Sequence, residues 1–563
     1  MARGASRPAV VIAAALTVGV LLFALGLAGD FWNEVVSPLT NPTRLEGGPV
    51  PSFEQQACSL PPGWWERVQR GHFGPRSGDI SILPRYPAYM ASPAGGWTHS
   101  GPWPHLQRVP VVFYGPGLVV PAREVDTPIT MADIAPTLGR LIGAPFDARD
   151  GRPLDEVGSS DGSARTPRLI VTVVWDGGGW NTLDQWPDAW PNLAKLMRGG
   201  ISFSRATVGS SPSVTPSVHT TLGAGEWPRT HGITGIWVRD ESKQRVDSFL
   251  RGESSRFIEV PTLAERWDGS TRNRALVGMV GYEPWHLGMI GRGAERDGGD
   301  RDDAAWLDVE TNEWITNEDH YRLPPSLAQT EGLEEDLQRI DEADGELDGS
   351  WRDNEILDQI DRVEETPAFI AYHTRAMVSM IEDEGYGADG VTDLLFTNYK
   401  QIDRVGHYFS MSSDEVYDSV VESDRQLGVL LDALNEIVGY GRWVVVLTAD
   451  HGQQPDDEDI DSYAIDPDEV KVDINEKFGP VAEGVFPTEI FLDYDAMDRR
   501  EVSADDIARW LSDYRLAENA DDPGARLGGA GPFDPQDRIF DLVVPSRLVP
   551  AIDCASGAVE PNG

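Results

Sequence analysis

The stretch Trp443–Gln453, WVVVLTADHGQ, constrains this chain more than any other. Val444, Val445, Val446 and Leu447 form a short, mostly β-branched apolar run. That is the pattern of a strand buried on both faces, and so of a parallel sheet. The run leads into Thr448-Ala449-Asp450-His451-Gly452. Open α/β sheets bind ligands at the carboxyl ends of their strands, and a carboxylate beside an imidazole suits a zinc ion. Taken alone, Asp450-His451 is equally well a polar turn closing a strand. The rest of the chain separates the two readings.

The same design recurs. Arg168–Trp175 (RLIVTVVW) ends in Asp176-Gly177-Gly178-Gly179, and Leu394–Asn398 (LLFTN) leads to Asp403 and His407. Three apolar strands each followed by metal-ligand types are hard to explain as surface decoration. Ile80–Leu83, Val109–Tyr114, Ile201–Ala206 and Arg538–Leu542 read as further strands. Thr130–Ile142, Pro191–Met197, Val416–Ile437 and Ala504–Leu516 have helical spacing. Strands alternating with helices predict an α/β fold with a mostly parallel central sheet flanked by helices. Between the first strand end and the later ones lies SVTPSVH, residues 213–219. A hydroxyl at a helix start has free backbone N–H groups and the helix dipole beside it, which suit an anion. Bound to a metal, such a hydroxyl can ionise and attack.

The 563 residues are 40% hydrophobic and 25% charged, with a formal net charge of −45. That surface repels nucleic acid and anionic lipid heads, so binding through a basic patch is excluded as a function class. Ala9–Ala28 carries no charge and is long enough to cross a bilayer. Arg3 and Arg7 precede it, and Asp30 and Glu34 follow. The positive-inside bias puts the N-terminus in the cytoplasm and the remainder outside, as a single-pass membrane protein. A cleaved signal peptide ending at Gly26-Leu27-Ala28 is the competing reading and would give a secreted protein. Residues 29–62 read as a tether and 147–167 as a polar linker; about 240–390 read as an acidic insertion capping the sheet edge. The two cysteines, Cys58 and Cys554, can pair in an oxidising compartment or be unrelated thiols.

VVWDGGG, TPSVH, TNYKQIDRVGH and TADHG together resemble the alkaline phosphatase superfamily, nearest its type I phosphodiesterase/nucleotide pyrophosphatase branch. The resemblance covers roughly 168–235 and 390–455. It implies an alkaline phosphatase-like fold and two zinc ions, with a small phosphate ester as substrate. It implies Thr215 as nucleophile, with Asp176, Thr215, Asp450 and His451 around one zinc and Asp403 and His407 around the other. The family needs a further histidine late in the chain, but none follows His451. Trp97–Gly115 (WTHSGPWPHLQRVPVVFYG), SGDI at 77–80 and MADIAPTLGRLIG at 131–143 resemble the family's late segment in its internal order. The resemblance therefore implies a circular permutation. Residues 63–146 would be the displaced end of a catalytic domain spanning 168–555, and His99 the missing ligand, with His105 next in line. In the unpermuted order Cys554 would shortly precede Cys58, which implies a Cys58–Cys554 disulfide tying the ends together.

One position departs from the family. The asparagine that binds a phosphate oxygen would lie five residues after His231, where this chain has Ile236. Arg239 or His286 stand as candidate substrate-binding replacements. Monoester, diester and pyrophosphate substrates all stay open. The resemblance thus predicts a zinc-dependent phosphoric ester hydrolase. The alternative is a surface binding protein that keeps the fold without turnover.

Overall fold

The computed structural model describes residues 49–555, apart from 92–95, 120–122, 159–165, 356, 358–359 and 520–533, together with 558–559. The expected membrane helix Ala9–Ala28 and the start of the tether lie outside the described residues. Among the described residues no helix is long and apolar enough to cross a membrane.

The strands used below, in chain order, are β1 (Ile80–Pro84), β2 (Val111–Tyr114), β3 (Arg123–Val125), β4 (Leu169–Trp175), β5 (Ile201–Phe203), β6 (Val277–Val280), β7 (Asp303–Asp308) and β8 (Glu313–Ile315). They continue with β9 (Asp393–Tyr399), β10 (Trp443–Thr448), β11 (Ala482–Phe486), β12 (Glu489–Leu492) and β13 (Phe540–Pro545). Nine of them form one sheet in the order β8-β7-β6-β9-β4-β10-β2-β5-β3. The five neighbours from β7 to β10 run parallel, as does the β5–β3 pair. β8, β2 and β5 bring in antiparallel pairings, so the sheet is mixed with a parallel centre. A second sheet, β11-β12-β1-β13, stands apart with its own core.

The β10 alternation explains its burial on both faces. Val444 and Val446 pack on one side with Ile170, Val174, Val218 and Leu222. Val445 and Leu447 pack on the other with Val171, Val173, Val420 and Leu427. Fully burying a Val or Leu side chain is worth about 1.5–3 kcal/mol, so these four residues tie the sheet to the core on both of its sides.

Register places the functional ends. Tyr399 pairs with Trp175 and Thr448 with Val174, so β9, β4 and β10 end at nearly one level. β2 is antiparallel to β10, with Val111 opposite Thr448. The chain entering β2 therefore arrives at the edge where the parallel strands leave, which carries the loop containing His99 to the same edge.

Three stretches differ from the sequence expectation. Residues 240–390 are not only a cap, because β6, β7 and β8 within them extend the main sheet. Their strands are short, and the acidic, Gly-rich chain around them hides VGMV at 277–280. Within the supposed tether, α1 (Phe53–Ser59) is a helix with a Ser52/Gln55 capping box, and Ala57 is buried against Val544 and Ile552. The capping signal is short and easily read as loop. Residues 147–158 pack against the core through Leu154 and Val157, and the Asp150 carboxylate accepts from the Trp227 backbone N–H. The Cys58–Cys554 disulfide forms, with the Cα atoms 5.2 Å apart.

Candidate active site

Asp176 follows β4, Asp450 and His451 follow β10, and Asp403 and His407 lie on α2 (Gln401–Phe409), the helix after β9. His451 Nε2 is 3.4 Å from Asp176 Oδ1, 3.4 Å from Asp450 Oδ2 and 4.0 Å from Asp403 Oδ1. His99 Nε2 is 3.2 Å from Asp403 Oδ1, and His407 Nε2 is 3.3 Å from Asp403 Oδ2. The His99 and His451 rings stack with centroids 3.5 Å apart. Every residue expected to hold a metal therefore meets at one place, and all three aspartates are fully buried.

The chemistry of this donor set suits divalent metal. Each of the three imidazoles directs Nδ1 at a backbone carbonyl: His99 at Ser213 O, His407 at Trp97 O and His451 at Gly452 O. An Nδ1–H donated to a carbonyl turns Nε2 of each ring toward the aspartates, the orientation that histidine ligands take from their outer partners. Asp450 Oδ2 and His451 Nε2 are buried with no hydrogen-bond partner among the described residues. Buried polar atoms left so are costly. Two three-residue groups converge closely enough for one ion each, His99/Asp403/His451 and Asp176/Asp450/His451. Burial and the neighbouring Asp176 push the Asp450 carboxyl up to about 7. Burial and the stacked His451 ring hold the His99 imidazole well below its ordinary value, which keeps it neutral and able to bind metal.

Thr215 begins α3 (Thr215–Ala224), a wholly buried helix with Pro216 in its first turn. Its Oγ1 is 3.5 Å from Asp176 Oδ2, and no side chain caps the start of the helix. The cleft holds about 310 Å³, and Ile236, Trp237, Tyr282, Phe486 and Phe491 line it along with Thr215. Sequence reasoning missed Lys400. Its Nζ lies 2.9 Å from Asp176 Oδ1, 2.7 Å from Asp403 Oδ2 and 3.1 Å from Thr215 Oγ1. The signal was present, because one helical turn before Asp403 puts residue 400 on the same side as that ligand.

The two substrate-binding candidates lie elsewhere. Arg239 is buried and held by Asp79 at 2.7 Å and Glu483 at 2.8 Å, so it has no reach into the cleft. It sits on a short strand, Trp237–Arg239, two residues on from the cleft-lining Trp237, and its guanidinium is taken up by Asp79, Glu483 and the Leu492 carbonyl. His286 is fully buried behind the centre, its Nδ1 3.0 Å from His219 Nδ1. His219 in turn approaches Asp450 Oδ2 at 3.6 Å. His231 shares a hydrogen bond with the Thr221 hydroxyl and accepts from the Ile233 N–H, a supporting role for α3. His105 packs on Trp103, its Nε2 unpartnered among the described residues and outside the metal-binding groups.

Residues 170–532 match the model of the type I phosphodiesterase/nucleotide pyrophosphatase family. The chain belongs to that family. Family membership makes it a phosphoric ester hydrolase of the alkaline phosphatase superfamily. It is 22% identical over 404 residues to a protein of Myroides odoratus named calcium-transporting ATPase, covering 61% of this chain and 72% of the relative. It is 22% identical over 334 residues to the alkaline phosphatase PafA of Elizabethkingia meningoseptica, covering 51% of this chain and 60% of that enzyme. The crystal structure of wild-type PafA superposes with a TM-score of 0.51 at 19% identity, over 63% of this chain and 77% of PafA, and so shares the fold. The family match begins at Ile170. It leaves out residues 63–146, which nevertheless supply β1, β2, β3 and His99.

Proposed function

We propose that this protein hydrolyses phosphate esters in two steps through a phospho-threonine at Thr215, on the outer side of a membrane to which Ala9–Ala28 anchors it. In the first step the Thr215 Oγ1–P bond forms as the bond from phosphorus to the ester oxygen breaks, and the Thr215 proton ends on the released alcohol. In the second step water replaces Thr215 at phosphorus, returning the hydroxyl and releasing phosphate or a monoester. Asp176, Asp450 and His451 would hold one divalent ion with Thr215, and His99, Asp403 and His407 a second. Zinc is the ion this nitrogen-and-carboxylate set favours. Such ions supply charge neutralisation and a lowered hydroxyl pKa. The chain's own part is positioning. Backbone carbonyls lock the three imidazoles, and the N-terminus of α3 offers N–H groups to an anion bonded to Thr215.

The observation that carries this reading is the convergence of three Nδ1-anchored histidines and three buried aspartates around a helix-start threonine. The disulfide supports a location outside the cytoplasm, where such bonds persist. A permuted chain, with 63–146 completing the catalytic domain, accounts for the family match beginning at Ile170 while His99 comes from upstream. The test measures bound metal and the hydrolysis of nitrophenyl phosphate as monoester and diester, by wild type and by Thr215→Ala. The reading expects zinc in both proteins and turnover in the wild type alone. No metal and no turnover of either ester would leave a binding protein instead.

A further inference from the structure

We propose that Lys400 is a catalytic residue whose ammonium binds the phosphoryl group while it is bonded to Thr215. The inference rests on Thr215 being the nucleophile. Lys400 Nζ lies 3.1 Å from Thr215 Oγ1, so the oxygens of a phosphorus bonded to Oγ1 come within its hydrogen-bond reach. Among the described residues lining the cleft, Lys400 and Arg404 carry the lysine and arginine cations. Arg404 is committed elsewhere: it pairs with Glu365 at 2.7 Å and stacks over Tyr282 and Tyr408. Ile236 and Val214, which also line the cleft, offer no side-chain donor. The present partners of Lys400, Asp176 and Asp403, are the groups that metal ions would engage. Occupation of those carboxylates frees the ammonium to turn to the phosphoryl oxygens. It keeps its proton throughout and only donates hydrogen bonds, so the bonds made and broken are those of the two steps above.

A bland role is available: Lys400 as counter-ion to two buried aspartates. Inorganic phosphate separates the two roles. Wild type and Lys400→Met are reconstituted with zinc, their metal content is measured, and phosphate affinity is read by calorimetry and by competitive inhibition. The expected result is equal metal content with phosphate affinity at least about tenfold weaker in Lys400→Met, the ordinary size of a lost charge-assisted hydrogen bond. Lys400→Arg should recover part of that affinity. Unchanged phosphate affinity in Lys400→Met overturns the proposal. So does a variant that cannot reach wild-type metal content in excess zinc, or a wild type that binds no phosphate. If Lys400→Met does not fold, Lys400→Gln is read against the same criteria. Thr215→Ala keeps the two inferences apart. Turnover in that variant refutes the nucleophile, whereas its phosphate binding does not depend on the Thr215 hydroxyl.

Discussion

Gly177, the first glycine after Asp176, tests how tightly the backbone holds this centre. Its φ is +70°, in the left-handed region. A Cβ there would lie 2.9 Å from Asp403 Cα, 3.0 Å from Asp403 Cβ and 3.0 Å from Gln453 Nε2. Two of those atoms belong to the start of α2 and cannot swing aside. The third belongs to a side chain already donating to the Ile402 carbonyl at 2.8 Å. Gly177→Ala therefore carries two costs. The left-handed backbone costs a non-glycine residue about 1–2 kcal/mol, and overpacking of a closed site costs about 1–3 kcal/mol, so the expected destabilisation is about 2–5 kcal/mol. The strain is relieved mainly by moving Asp403, which His99, His407 and Lys400 all face. Metal affinity should then fall about 10–100-fold, the range found when a supporting contact of a ligand is lost. The assay pairs thermal melts of the metal-free protein with zinc competition against a chromophoric chelator. Gly158→Ala is the control, since a Cβ at that position meets nothing within 4 Å. A melting temperature matching wild type would refute the steric reasoning. A lowered one with unchanged zinc affinity would refute the coupling to Asp403.

Two further predictions concern stability. Burial pushes Glu489 up to about 7, so the folded protein keeps a proton that the unfolded chain releases near pH 4.5. Stability from this group is then present below about pH 4.5 and is lost as pH rises through 7, where the ionised form costs about 3 kcal/mol. Glu489→Gln should melt like wild type at pH 5 and above it at pH 8, and parallel curves would sink the idea. Cys58 and Cys554 are 496 residues apart, a loop whose closure entropy alone gives about 6 kcal/mol, against ordinary measured losses of about 2–5 kcal/mol. Cys58→Ser with Cys554→Ser should lower the denaturation midpoint and expose α1 to protease; equal midpoints would show that packing alone holds the chain ends.

The parallel centre of the sheet was legible because β4, β9 and β10 are strands of six or seven residues, each with an apolar run of three or more and each buried along its whole length. Their carboxyl ends therefore named Asp176, Asp403, His407, Asp450 and His451 directly. β6, β7 and β8 were not legible: three to six residues each, set in acidic and Gly-rich chain, they show no period long enough to read. Arg239 was misplaced for a different reason. Charge and position near the nucleophile suggested an anion partner, but its actual partners, Asp79 and Glu483, are remote in sequence. Lys400 was overlooked because a lysine before a helix reads as solvated surface. Only the fold shows that three acceptors surround it.

The antiparallel strand β2 explains how a site can draw on both ends of a chain. A parallel strand in that place would send its preceding loop to the opposite edge of the sheet, away from Asp403. Running antiparallel to β10, with Val111 opposite Thr448, β2 receives its chain at the ligand edge. His99, twelve residues before the strand, is thereby set against Asp403 and stacked on His451. That placement depends on the strand's direction and not on where the segment stands in the chain. A segment with β2's direction and loop would deliver the same imidazole from either end. Reconnecting it from one end to the other preserves the centre as long as the termini lie close together, and in this chain the Cys58–Cys554 bond joins the two ends of the described catalytic chain.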